Sequence, residues 1–248
     1  MRISSLAALA TASLILLPAS LLPASLRAAS LQVSPISIEV QAPTAAATIK
    51  LHNSGTEVLN AQIRVFRWTQ VNGEEKFEPT NDVVASPPTI SLAPNTDYTV
   101  RLVRVTKQPV AQGETYRLFV DELPDNKAQQ SRSVTLVMRY SIPVFFYSRD
   151  TAEAKLAWSI ERRGGQVYVV ATNAGDRHAR LSSLKLRDAN DTTASFGNGL
   201  TGYVLGHSTM RWQAPGNSSR LGAASPVVIS ALSDSGPINA STSAQSAR

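Results

Sequence analysis

Between Ser133 and Phe146 the chain alternates. Val134, Leu136, Met138, Tyr140 and Ile142 fall on one parity, and Ser133, Thr135, Val137, Arg139 and Ser141 on the other. Side chains of an extended chain point to opposite faces in turn, so this pattern predicts a long strand with one apolar and one mostly polar face. Pro143 cannot donate to a ladder and favours a strand end, an edge or a bulge. A long apolar strand with a usable edge invites aggregation unless pairing with another chain is its task.

Upstream, the same period of two recurs in short segments. Leu31–Val40 alternates partly, and Pro35 within it implies an edge or a switch between sheets. Ala47–Asn53 forms a second strand, closed by Asn53-Ser54-Gly55, and Val58–Gln70 a third, followed by the hairpin signal Asn72-Gly73. Pro79, Pro87 and Pro88 cut Phe77–Ser91 into short strands or loops, while Tyr98–Val105 and Tyr116–Leu123 alternate cleanly. Short strands with frequent turn signals and no helical period predict an immunoglobulin-like β-sandwich over residues 31–149. The cysteine pair of antibody domains is missing from it.

Past Ser148-Arg149-Asp150-Thr151 the strands continue, at Lys155–Glu161, Gln166–Asn173, Ala179–Leu186, Gly202–Val204, Thr209–Gln213 and Val227–Leu232. Turns at Gly164-Gly165, Ala174-Gly175-Asp176 and Gly197-Asn198-Gly199 separate them. Residues 150–238 therefore form a second, smaller β-sandwich domain, and the Ser/Ala/Gln-rich residues 239–248 a flexible tail. The fold class is all-β, with two immunoglobulin-like sandwiches.

Residues 1–30 stand outside this pattern. Arg2 precedes an uncharged, Ala- and Leu-rich run from Leu6 to Leu22, and small residues follow at Ala28, Ala29 and Ser30. That is the layout of a secretory signal peptide, preferred over a membrane anchor because Pro18 and Pro23 interrupt a run already short for a bilayer. Its removal leaves 22 basic and 18 acidic residues, a dispersed charge of about +4 without the basic runs of a nucleic-acid binder. No later segment is long and apolar enough for stable membrane insertion. The absence of cysteine excludes thiol nucleophiles, iron–sulfur clusters and cysteine zinc sites, and is compatible with a bacterial periplasm.

Chemistry is sparse. His52, His178 and His207 lack metal-ligand spacing, and Asp121 and Glu122 adjoin within a strand, so their side chains should face opposite ways. Asp188, Asn190 and Asp191 lack the glycine and distal glutamate of a calcium loop. There is no phosphate loop or nucleophile elbow. No metal, cofactor or catalytic residue is predicted, and the chain is read as a binding protein and not an enzyme. Arg101, Arg104, Arg117 and Arg139 lie inside strand patterns, where an arginine beside an interdomain crevice can hold a carboxylate bidentately.

Taken in order, several of these residues resemble the periplasmic pilus-assembly chaperones of the PapD-like chaperone–usher family. They are Pro87-Pro88, then Leu92-Ala93-Pro94, then Val100-Arg101-Leu102, and the strand Glu114–Pro124 ending in Glu122-Leu123-Pro124. Asn173-Ala174-Gly175-Asp176-Arg177-His178 and Gly202-Tyr203-Val204-Leu205 are similar to second-domain features of the family's archaic, spore-coat-like branch. The resemblance implies a boomerang of two domains that lends a strand to pilus or fimbrial subunits by donor-strand complementation. It also implies delivery of those subunits to an outer-membrane usher. On it, Val134, Leu136, Met138 and Tyr140 are the lent residues.

One departure concerns the basic pair with which the family anchors a subunit's terminal carboxylate. Ser37 and Pro143 occupy those positions here. Arg117 and Arg139 become the candidates for a relocated anchor, with Arg101 and Arg104 behind them. The alternative reading is a secreted two-domain structural or adhesive protein that binds its ligand through loops.

Overall fold

A computed structural model describes residues 30–124, 136–216, 221 and 226–246. Residues 1–29 of the expected signal peptide, and Val134, lie outside the described residues.

The first ten strands are β1 (Leu31–Ser34), β2 (Ile38–Gln41), β3 (Ala46–Asn53), β4 (Leu59–Val71) and β5 (Glu74–Pro79), then β6 (Val83–Ser86), β7 (Thr89–Leu92), β8 (Thr96–Arg104), β9 (Glu114–Leu123) and β10 (Arg139–Tyr147). They form two sheets, in the orders β1-β3-β8-β6 and β2-β10-β9-β4-β5, with β7 also on β4. The chain crosses between the sheets at once: β1 pairs with β3, and after Pro35 β2 runs parallel to β10. Ile49, Leu51, Ala61, Val100, Leu102, Leu118 and Val120 are buried between the layers, at the alternate positions expected of a two-sheet core. At the β4–β5 hairpin Asn72 and Gly73 both take positive φ, 57° and 83°, the conformation that a two-residue primed turn demands.

The remaining strands are β11 (Leu156–Arg163), β12 (Gln166–Asn173), β13 (Ala179–Arg187), β14 (Thr193–Ser195) and β15 (Leu200–Val204), then β16 (Thr209–Gln213), β17 (Val227–Ser233), β18 (Gly236–Thr242) and β19 (Ala244–Ser246). Their sheets are β16-β12-β11-β19 and β14-β13-β17-β18, with β15 on β13. The segment expected as a flexible tail is therefore different. β18 pairs along all of β17, and β19 adds to the edge of β11. Small polar residues of low β-propensity are held by backbone ladders that composition does not reveal.

The two domains meet over an aromatic junction. Trp68, Phe145 and Tyr147 of the first domain pack with Tyr203 and Leu205 of the second, each at most 5% exposed. Gln70 adds a polar seam: its amide donates to the Tyr203 carbonyl at 2.8 Å and accepts from the Leu205 N–H at 2.9 Å. The linker is sewn down by the Asn173–Arg177 turn, where Asp176 and Arg177 donate to the Ala152 carbonyl and Lys155 donates to the Asn173 side chain. Gly175 permits this closeness, since a Cβ there would lie 1.9 Å from the Glu153 carbonyl oxygen. Replacing Gln70 with leucine strands two buried backbone groups, and is expected to cost about 2–4 kcal/mol. A lowered melting temperature and faster proteolysis at residues 148–155 would register it.

Candidate functional site

The strand β10 organises the site. Its even positions Ile142, Val144 and Phe146 are at most 2% exposed and belong to the first domain's core, while Phe145 and Tyr147 on the other face fill the junction. Burial on both faces explains the unbroken apolar run at this end. The strand starts at Arg139, later than the alternation alone suggested, and residues 136–138 precede it without ladder assignment. The core-facing parity nevertheless continues outward. Tyr140 is half-buried and donates its hydroxyl to the Leu31 carbonyl, Met138 is half-buried, and Leu136 is 78% exposed. The apolar side chains of one face thus run out past the end of their own core.

The edge of β10 changes at the same place. β9 pairs with it from Arg139 to Phe146, but β2 covers the opposite edge only from Val144 to Tyr147. Arg139–Pro143 therefore has no ladder on that edge among the described residues. Pro143 sits directly before the covered stretch, where a missing N–H costs the sheet nothing.

The four arginines are dispersed. Arg101 is exposed on β8, in the other sheet. Arg104 is held by Glu114 at 2.8 and 2.7 Å and by the carbonyls of Thr106 and Gln108, so four of its five N–H groups serve its own domain. Arg117 is 8% exposed at the junction, its guanidinium 3.8 Å from the Trp68 ring centroid, 5.3 Å from that of Tyr203 and 3.6 Å from Glu75. Burial holds its pKa below the usual arginine value, against the opposing pull of Glu75. Arg139 lies at the far end of β10, mostly exposed, over Phe119 and paired with Asp121.

The expectation that Arg117 and Arg139 form two halves of one anchor needs correction. Arg117 faces Pro143 and Arg139 faces Asp121, four residues along the ladder. At roughly 3.3 Å per residue their backbones stand about 13 Å apart. The guanidiniums turn to different partners, Trp68 and Tyr203 for Arg117 and Phe119 and Asp121 for Arg139, so they do not converge on one carboxylate.

Some junction residues escaped the sequence. His178 stacks on Phe145 with centroids 3.7 Å apart, receives a Tyr147 hydroxyl contact and is 5% exposed in its side chain. Burial first, then Arg177, Arg117 and Arg180, pull its pKa to about 4. Glu39 and Asp234, 4.0 and 3.8 Å away, oppose this, but both are about half exposed and screened by water. His178 is neutral in the fold and charges near pH 6.5 when unfolded, so its contribution is whole above pH 6.5 and lost as the pH falls towards 4. Melting curves at pH 7.5 and 4.5 should differ by about 2–3 kcal/mol more in the unaltered chain than in His178→Phe. A lone histidine after a turn carries no sequence mark of such a setting.

Elsewhere titratable groups serve local structure. His52 contacts Asp97 at 2.7 Å, His207 contacts Asp176 at 2.6 Å, and Asp188 accepts the Asn190 and Thr192 amides across a tight turn. Among the described residues no group of three or more His, Cys, Asp or Glu could hold a metal ion. No helix among them is long and apolar enough to cross a membrane.

Residues 30–149 match the family model described as pili and flagellar-assembly chaperone, PapD N-terminal domain. No curated protein matches in sequence. Among solved structures, the chain resembles one from the CsuC–CsuE chaperone–tip adhesion subunit pre-assembly complex of the archaic chaperone-usher Csu pili of Acinetobacter baumannii. The two share 26% identity at a TM-score of 0.66, over 89% of this chain and 100% of that one. It also resembles a chain of the Salmonella enterica SafA pilin–SafB chaperone complex, at 15% identity and TM-score 0.61 over 87% and 98% of the two chains. The E. coli chaperone DraB follows at 17% and 0.57, over 85% and 97%. At such identities the last two likenesses speak for the fold alone.

Proposed function

Through residues 30–149 this chain belongs to the PapD-type pili and flagellar-assembly chaperones, and from that premise we propose that it lends the entry of β10, with Val134 and Leu136 ahead of it, to an unassembled pilus subunit. One observation carries the reading. The parity that fills this protein's own core at Ile142, Val144 and Phe146 becomes exposed by Leu136, beside an edge left unladdered from Arg139 to Pro143. Side chains for a foreign core and backbone groups for a foreign strand are offered together, which is the requirement of strand addition. Val134, Leu136 and Met138 are the inserted residues, with Tyr140 at the boundary. Each contributes about 1.5–3 kcal/mol on full burial, before ordering costs.

Of the four arginines, Arg117 is retained as the anchor for the subunit's terminal carboxylate, because it lies beside Pro143 at the crevice end of the lent strand. Arg139 lies four residues further out, at the first ladder pair, and is kept as a client contact. Arg101 and Arg104 leave the proposal, one for its sheet and the other for its committed donors. The subunit is then passed to an outer-membrane usher, and the work is done in the periplasm after export by the N-terminal signal. Assignment to the archaic branch is supported by the likeness to the Csu complex. The role is binding, without catalysis or cofactor.

Co-expression with a candidate pilus subunit tests this. The subunit should accumulate in soluble form, bound to the chain, only when the chain is present. A subunit that is equally soluble alone would overturn the reading.

A further inference from the structure

We infer that Asp121 and Glu122 are positioning residues that clasp the entry of the lent strand from its two sides and hold it extended before any client arrives. The inference rests on the strand-lending reading for its purpose, but its geometry is independent of it. Beyond the last ladder pair, Arg139 with Asp121, the next residue is still held. The Glu122 N–H donates to the Met138 carbonyl at 2.9 Å, and the Met138 N–H donates to the Glu122 carboxylate at 3.1 Å. One residue thus satisfies both backbone groups of Met138, its side chain replacing the carbonyl that a continued ladder would supply.

Asp121 works on the other face. Its carboxylate, 11% exposed, accepts from Arg139 and also from Arg64, whose Nη2 lies 2.6 Å away and whose Nε lies 3.3 Å away. Burial pushes its pKa up, but the hydrogen bonds from Arg139 and Arg64 outweigh this and hold it below the ordinary carboxylate value. Arg64 is itself fixed over Phe66, and Phe66 meets Phe119 edge-on at 5.5 Å, the ring beneath Arg139. Adjacent acids whose side chains diverge are useless as a catalytic pair. They are well placed to grip a neighbouring strand, one by a side chain and one by the backbone.

The consequence is preorganisation. A strand already extended loses less conformational freedom on binding than a free loop would. Glu122→Ala removes the acceptor for Met138, Glu122→Gln keeps an acceptor oxygen, and Asp121→Asn weakens the hold on both arginines.

Hydrogen exchange of the free full-length chain reads the clasp without any client. Exchange at the Met138 amide should rise at least ~10-fold in Glu122→Ala and return towards the original rate in Glu122→Gln. With the subunit that the unaltered chain solubilises as probe, Glu122→Ala should bind ~5–10-fold more weakly at an unchanged melting temperature, and Asp121→Asn should bind more weakly with a lowered one. Exchange unaltered in Glu122→Ala, or equally fast in Glu122→Gln, would overturn the clasp. Faster exchange with full binding would overturn its role in client capture. Neither result touches strand lending, which fails instead if the exposed apolar residues are dispensable.

Discussion

Changing Leu136 and Met138 together to aspartate is expected to leave the protein folded and to abolish its hold on subunits. Leu136 is 78% exposed and Met138, half-buried, precedes the first ladder pair, so the free chain loses only about 1 kcal/mol. The proposed bound state has much to lose. Two apolar insertions worth about 1.5–3 kcal/mol each disappear, and two carboxylates must enter a subunit's apolar groove or be left out of it. A loss of at least about 4 kcal/mol is roughly a thousandfold in affinity. Co-purification of the subunit measures the effect, and circular dichroism with a melting curve confirms the fold. A double variant that still holds its subunit would remove these residues from the client contact.

Arg117→Ala is expected to have the second largest effect, on two readouts at once. The guanidinium lies between Trp68 and Tyr203, from different domains, and faces Glu75. Desolvated cation–π contact is worth about 2 kcal/mol, and truncation also leaves a cavity at the junction. Together these predict a loss of about 3 kcal/mol, or a melting temperature lower by roughly 6–12 °C. Arg117→Lys keeps the charge but loses the planar stack and the fork that fits a carboxylate, so it should recover only part of the stability. If Arg117 also holds the subunit's terminal carboxylate, amidation of that terminus should weaken binding to the unaltered chain and make no difference to Arg117→Ala. Equal sensitivity in both would leave Arg117 as a domain fastener only.

The strand alternation was legible because a period of two survives wherever one face meets a core. Tyr116–Leu123 and the apolar end of β10 declared themselves in this way. Asn72-Gly73 did so through the turn it demands. β18 and β19 were not legible, since a run rich in small polar residues carries no strand signal and its backbone is placed by ladders with β17 and β11. The junction was hidden for a different reason. Trp68, Gln70, Phe145, His178 and Tyr203 come from three strands and a turn, and each alone passes for an ordinary strand or loop residue. The arginines illustrate the limit best. Their presence in strands was visible, but register decides which can meet, and it sets Arg117 and Arg139 four residues apart along β10. Conversely, the divergence of Asp121 and Glu122 was predicted, yet its use as a clasp appears only once β10 lies alongside β9.

Strand lending makes a specific demand on the open edge of β10. Backbone amides of Arg139 and Ser141, together with that of Val137 ahead of them, should exchange readily in the free chain and become protected when a subunit is bound. Hydrogen exchange on the free and subunit-bound protein measures this directly. Protection centred on residues 136–143 is the predicted result; protection confined to loops of either domain, with this edge still exchanging freely, would contradict the account.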